Sequence, residues 1–372
     1  MTEPADLSNV VVAGGLALGF VFGAVANKSN FCTMGAISDV VNMGHWGRVR
    51  MWLLAIAVAI LGTTALGTSG LVDLSRSVTQ RPNVAWLSML VGGLLFGIGM
   101  TMAGGCANKN LVRAGGGSLR SVVVLVFMGL ASYMTMRGLF AQWRADWLDP
   151  VSINLADAGW SDQSLGTALA QATGLAPATA LWAAAGAIAL ALLVFTFADR
   201  RFRGNTSQIL GGVVIGAIIV IGWYVSGHLG FGEHPQTMEN VFFATNTRAL
   251  ESMSFVGPVA WGLELLLLWT DASLHLSFGI ASVLGVIGGS AVYALVSRKF
   301  RWEGFASLSD LRHQLVGAVL MGFGGITALG CTIGQGLSGV STLAIGSFIA
   351  VGGIVLGSVV WLKFILWRAE NS

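Results

Sequence analysis

The stretch Gly330-Cys331-Thr332-Ile333-Gly334-Gln335-Gly336-Leu337-Ser338-Gly339 decides how this chain is read. It follows an apolar segment broken by Gly317, Gly322 and Gly324, and it is too rich in glycine and polar residues to cross a bilayer itself. Two other stretches are built alike. Asn27-Lys28-Ser29-Asn30-Phe31-Cys32-Thr33-Met34-Gly35 shares its Cys-Thr-x-Gly. Gly104-Gly105-Cys106-Ala107-Asn108-Lys109-Asn110-Leu111-Val112-Arg113 shares its approach: Gly92 stands fourteen residues before Cys106, as Gly317 does before Cys331, and Gly97 and Gly99 match Gly322 and Gly324. A lone membrane cysteine is ordinarily a small packed hydrophobe. Here all 3 cysteines of the 372 residues sit in one repeated context, which points to their joint use.

Composition sets the class. The chain is 55% hydrophobic and 10% charged, against about 25% charged in an ordinary soluble domain. A soluble fold could not cover its surface with so little charge, so this is an all-α polytopic membrane protein. The 52 glycines suit helices that approach closely through small residues. A net charge of +3, with no basic tail, Walker loop or zinc-finger spacing, argues against a nucleic-acid partner. Residues 1–9 contain Glu3 and Asp6 but no Lys or Arg, so no cleaved signal peptide is expected. An odd number of cysteines without C-x-x-C is not a disulfide framework. No cofactor or metal is expected. His45, His228, His234, His275 and His313 are scattered without ligand spacing.

A spanning helix needs about 20 apolar residues. Ten candidates occur: 10–26, 51–70, 84–103, 119–137, 178–197, 209–226, 255–269, 277–297, 314–330 and 343–366. Cytoplasmic loops are enriched in Lys and Arg. Placing Arg48 and Arg50, Lys109, Arg113 and Arg120, Arg200–Arg203, and Arg298–Arg301 all inside leaves room for nine crossings. The segment 255–269, short and carrying Pro258 and Glu264, is then the one that does not cross. The N-terminus lies outside, and the C-terminus at Arg368 is cytoplasmic. The stretch 138–177, with Trp143, Trp147 and Trp160, becomes an external loop near the interface.

In this scheme the segments leading to Cys32 and Cys106 run inward and the one leading to Cys331 runs outward. The reading is of two inverted repeats, residues 1–137 and 208–372, joined by an external loop and linking helix at 138–207. A weaker fourth copy has Gly212 fourteen residues before Ser226, which takes the cysteine's place. Stretches 33–43, 107–117 and 332–341 are expected to be short re-entrant helices starting just after each cysteine. Their N-terminal N–H groups would favour an anion near the thiols.

A neutral thiol is a weak donor and a soft, polarisable group. It can contact an anion without gripping it as an arginine would, and conduction needs sites that are easy to leave. Sulfur also suits a soft, sulfur-bearing anion better than sulfate. Lys28, Lys109 and Arg113 read either as recruiters at a pore mouth or as positive-inside topology. Gln335 and Asn30 read either as donors to substrate oxygens or as partners of loop backbone.

These residues resemble the YeeE/YedE sulfur-transport family, the thiosulfate permeases of bacterial inner membranes. The resemblance rests on Phe31-Cys32-Thr-Met-Gly-Ala36, on Gly105-Cys106 with Asn110–Ser118, and on Gly330–Leu343. It covers roughly 10–137 and 208–366 and leaves 138–207 unmatched. It implies nine membrane helices plus short inserted ones in an hourglass with inverted pseudo-symmetry. It also implies thiosulfate uptake through successive S–H contacts at Cys106, Cys331 and Cys32. Gly105, Gly330, Thr332, Gln335, Asn30 and Lys109 are the further candidates along that path. A small cytoplasmic sulfurtransferase-like protein is the implied partner, alongside the lipid bilayer. Other readings stay open: transport of another sulfur or selenium compound, transport of Cu(I) by three thiolates, or a membrane sulfurtransferase or thiol oxidoreductase, for which the sequence shows no cysteine–histidine pairing.

Overall fold

The computed structural model describes residues 4–234, 238–305 and 307–371. Its helices, in order, are α1 (Pro4–Ser29), α2 (Thr33–Met43), α3 (Gly47–Thr68), α4 (Trp86–Met102), α5 (Ala107–Gly115), α6 (Leu119–Arg137), α7 (Leu139–Trp143), α8 (Leu165–Thr173), α9 (Pro177–Phe197), α10 (Arg200–Arg203), α11 (Thr206–Tyr224), α12 (Val256–Leu267), α13 (Phe278–Val296), α14 (Leu308–Thr327) and α15 (Ile345–Glu370). Short π-helical turns cover Arg144–Leu148, Val225–Leu229 and Gly334–Gly339. Short 3-10 turns cover Leu74–Arg76, Val78–Gln80 and Leu155–Ala158, and there are two small antiparallel pairs: β1 (Asn83–Val84) with β2 (Ile153–Asn154), and β3 (Phe231–Glu233) with β4 (Asn240–Phe242).

Among the described residues, eight helical stretches are long and apolar enough to cross a membrane. The protein is a multi-pass membrane protein. α14 is a ninth long helix of 20 residues, with Asp310 in its first turn and Arg312 and His313 close behind. Segment 255–269, expected not to cross, is α12, 12 residues long and well short of the ~20 a span needs.

Glycine contacts give the direction of each neighbour. A Cβ at Gly15, Gly19 or Gly23 would strike the carbonyls of Phe278, Ser282 and Val286 in turn, so α1 and α13 run parallel. Gly212 and Gly216 meet the carbonyls of Met51 and Ala55, so α3 and α11 are parallel. Gly93 and Gly97 meet Ala350 and Ile354, so α4 and α15 are parallel. α4 and α14 are antiparallel: Gly92 lies on Gly324 and Gly99 on Gly317. Ten full crossings would have set α1 against α13 in opposite directions. Their parallel packing is the mark of α12 stopping short.

Residues 138–177 are held to the rest of the fold by backbone pairing. Leu155 N–H donates to the Pro82 carbonyl at 3.0 Å and Leu165 N–H to that of Leu343 at 3.0 Å. Gln163 closes the join. Its Nε2 donates to the Arg81 carbonyl at 2.9 Å, and its Oε1 accepts from Gly346 N–H at 2.9 Å, satisfying an otherwise open donor at the start of α15. Trp143 and Trp147 remain exposed.

Candidate functional site

Each cysteine stands where an apolar helix has ended and a short one begins. Cys32 is the N-cap of α2, and its Sγ accepts the Gly35 N–H at 3.3 Å. Cys331 Sγ accepts the Gly334 N–H at 3.5 Å. The shared Cys-Thr-x-Gly is therefore a capping unit whose glycine amide faces the sulfur. Glycine makes room in both copies: a Cβ would run into the Arg48 guanidinium at Gly35 and stand 2.6 Å from Ser254 Oγ at Gly334, so either side chain would have to move. Cys106 is the N-cap of α5. The expected re-entrant helices are α2, α5 and the π-turn Gly334–Gly339.

All three cysteines are free and buried. Cys106 interacts with both others: it lies beside Cys32 and within electrostatic reach of Cys331. Lys109 lies within electrostatic reach of both Cys32 and Cys106, and its Nζ donates to Asn30 Oδ1 at 2.6 Å on the exposed side. At the other end, Gly330 and Gly334 form part of the wall of a cavity of about 240 Å³, with Glu251, Ser254, Trp261 and Arg144. The sequence runs vestibule, Cys331, Cys106, Cys32, Lys109.

Between the two ends lie the thiols and two threonine hydroxyls. The Thr33 hydroxyl is buried with no hydrogen-bond partner, and the Thr332 hydroxyl lies against the Cys106 thiol. Buried polar groups are nearly always paired, so the Thr33 hydroxyl is open to a ligand or a water. The N-terminal turns of α2 and α5 add partial positive charge.

The other expected residues divide. Gly105 and Gly330 make room: a Cβ would press on the Lys109 stem at 3.0 Å and on Gln335 Cγ at 3.1 Å. Gln335 has both ends occupied by protein, its Nε2 donating to the Ala328 carbonyl at 2.8 Å and its Oε1 accepting from Ser347 Oγ at 2.6 Å. It braces the Cys331 loop. Asn30 faces Lys109. Arg113 Nη1 donates to the Gly104 carbonyl at 2.9 Å, clamping the loop before Cys106, and Lys28 is exposed. Ser226 lies away from the thiols: its hydroxyl donates to the backbone carbonyl of Glu251. His228 stacks on Tyr224 at 5.0 Å. Thr33 was passed over, although its place in the second Cys-Thr pair was the available signal. Arg144 and Glu251 carried none, since only folding brings them beside Gly330.

Residues 28–360 match the description "sulphur transport". The chain belongs to the sulphur transport family. Two relatives of this sulphur transporter match almost end to end. The thiosulfate transporter TsuA of Spirochaeta thermophila is 26% identical over 365 residues, covering 94% of this chain and 98% of that protein. The thiosulfate transporter TsuA of Escherichia coli K12 is 26% identical over 366 residues, covering 95% of each. Both relatives bear the names of transporters, and the chain is a transporter rather than an enzyme. No three His, Cys, Asp or Glu side chains among the described residues gather as metal ligands.

Proposed function

We propose that this protein carries thiosulfate inward across the bacterial inner membrane, passing the anion along the thiols of Cys331, Cys106 and Cys32. The observation that carries the reading is a set of three buried sulfurs, with Cys106 interacting with both others, the Thr33 and Thr332 hydroxyls beside them and Lys109 at one end. Such donors contact an anion at every step and release it easily. Two relatives named for thiosulfate favour that substrate.

The N-terminus is placed outside and the C-terminus in the cytoplasm, with the vestibule opening outward. Residues 1–137 and 208–372 are read as inverted halves. Exchanging α1 with α11, α3 with α13, α4 with α14 and α6 with α15 turns the α1–α13 contact into α11–α3. It turns α4–α15 into α14–α6 and maps α4–α14 onto itself, and all of these contacts are present. Lys109 and Asn30 then mark the cytoplasmic mouth, where a small sulfurtransferase-like partner would receive the sulfur.

The test is thiosulfate uptake in cells lacking other importers, with Cys106→Ala, Cys106→Ser, Cys32→Ala and Cys331→Ala matched for membrane expression. Loss of uptake in Cys106→Ala supports the relay, and Cys106→Ser shows whether sulfur itself is required. Normal uptake by every variant refutes it.

A further inference from the structure

A second cavity, of about 420 Å³, lies apart from the thiol line. It is bounded by the turn after α3, the start of α8 and the segment that follows the π-turn Gly334–Gly339. Two carboxylates, Asp73 and Asp162, and several hydroxyls line it, among them those of Thr64, Ser164 and Thr342. No lysine, arginine or histidine does, among the described residues. An anion has nothing to meet there.

Gln80 singles the cavity out. Its side chain is 5% exposed and its Nε2 donates to the Thr342 carbonyl at 2.6 Å. A carbonyl accepts only, so the amide nitrogen has to face it and Oε1 is turned the other way. That Oε1 is buried with no hydrogen-bond partner, in a residue that lines the cavity. Asp162 is the second acceptor. Its Oδ1 takes the Ser164 N–H at 2.9 Å and the Thr167 hydroxyl at 2.6 Å, and among the described residues no cation pairs with it. Asp73, by contrast, is neutralised locally by Arg76 at 3.0 Å. The cavity therefore presents hard oxygens with one uncompensated negative charge and neither thiol nor imidazole. That donor set suits an alkali or alkaline-earth ion, and the single charge favours a monovalent one.

We infer that this cavity binds a sodium ion through the Asp162 carboxylate, Gln80 Oε1 and the Thr342 hydroxyl, and that the bound ion steadies the Cys331 segment during anion import. The link is short. The Thr342 hydroxyl donates to the Gly339 carbonyl at 2.8 Å, and that of Ser341 to the Ser338 carbonyl at 2.7 Å, both within the π-turn that carries Gln335. The coupling half of the inference rests on the transport reading above; the binding half does not.

The experiment uses the purified full chain in lipid nanodiscs, comparing sodium chloride with N-methylglucamine chloride at equal ionic strength. A sodium-specific rise in Tm of about 3 °C is expected at a hundredfold excess over Kd. Asp162→Asn keeps the acceptor for Ser164 and Thr167, and Gln80→Met keeps the length of the side chain; both abolish the rise. Equal Tm in the two salts, or an undiminished rise in both variants, overturns the site and leaves a water-filled cavity. In liposomes, replacing sodium slows wild-type thiosulfate uptake about fivefold or more; equal rates overturn the coupling. A sodium shift in a protein that carries no thiosulfate keeps the site and sinks the transport reading. Sodium-independent uptake with no shift does the reverse.

Discussion

Gly92 and Gly324 pack backbone to backbone where α4 crosses α14. A Cβ on Gly92 would stand 2.8 Å from the Gly324 carbonyl oxygen, and one on Gly324 would stand 2.5 Å from the Gly92 carbonyl oxygen. Gly99 and Gly317 repeat the relationship, at 2.6 Å and 2.7 Å. Gly92 and Gly317 each lie fourteen residues before a cysteine, and Gly99 and Gly324 seven, so each pair joins one of either kind. Backbone cannot swing aside as a side chain can. Gly324→Ala is therefore expected to destabilise by about 1–3 kcal/mol or more through overpacking. Gly352→Ala on α15, where a Cβ meets nothing within 4 Å, should gain about 1 kcal/mol from helix propensity. Thermal melts of the two variants check this, and equal stability would remove the crossing's special status.

Thr33→Val deletes a hydroxyl that has no partner in the protein, and Thr332→Val one that meets only the Cys106 thiol. An unpaired buried donor is costly to keep, so these variants are expected to be as stable as wild type or more so. Uptake should fall about tenfold for each, the worth of roughly one hydrogen bond to a charged group. Lost stability together with unchanged uptake would make both hydroxyls packing groups.

Arg144 is the basic residue of the vestibule, held by Asp149 at 3.2 Å, which in turn accepts from Ser88 Oγ at 2.7 Å. Charge at a mouth raises the local concentration of an oppositely charged substrate. Arg144→Gln should raise the KM for uptake about three- to tenfold with an unchanged maximal rate, and salt should raise the wild-type KM in the same direction. A fall in maximal rate alone would assign Arg144 to folding.

Glu251 shares that vestibule. Burial pushes its carboxyl above the ordinary 4.5, against the hydrogen bonds it accepts from Thr247. The folded protein thus keeps a proton that the unfolded chain releases. Its contribution to stability is full below pH 4.5 and is lost as pH rises through the raised value. Glu251→Gln should be indistinguishable from wild type in acid and more stable near neutrality. Melts across pH 4–8 check the sign, and a variant that loses stability at pH 7 would refute it.

Much of this architecture was legible because membrane rules are strict. Length and charge picked 255–269 as the segment that does not cross, and the glycine offsets before Cys106 and Cys331 marked 84–103 and 314–330 as alike without saying that they cross. The capping role of Cys-Thr-x-Gly was visible as a repeat but not as geometry. Gln335 shows where pattern reading stops. A glutamine in a polar loop can face substrate or backbone, and only the placement of Ser347 and the Ala328 carbonyl decides for backbone. The 138–177 stretch was opaque because it has no hydrophobic period. Its partners, Arg81, Leu343 and Gly346, are far away in the chain.

The helix α9 is the least buried of the eight apolar spans, with 22% of its most apolar window inside the protein. It packs chiefly on α3, α8 and α10. By contact energy it looks dispensable. By parity it is not. Four crossings return a chain to the side from which it started, so a second four-crossing half joined directly to the first would enter the bilayer the same way up. One additional traverse flips it. On the inverted-half reading proposed above, α9 is the odd stitch that turns a tandem duplication into a mirror of itself across the bilayer.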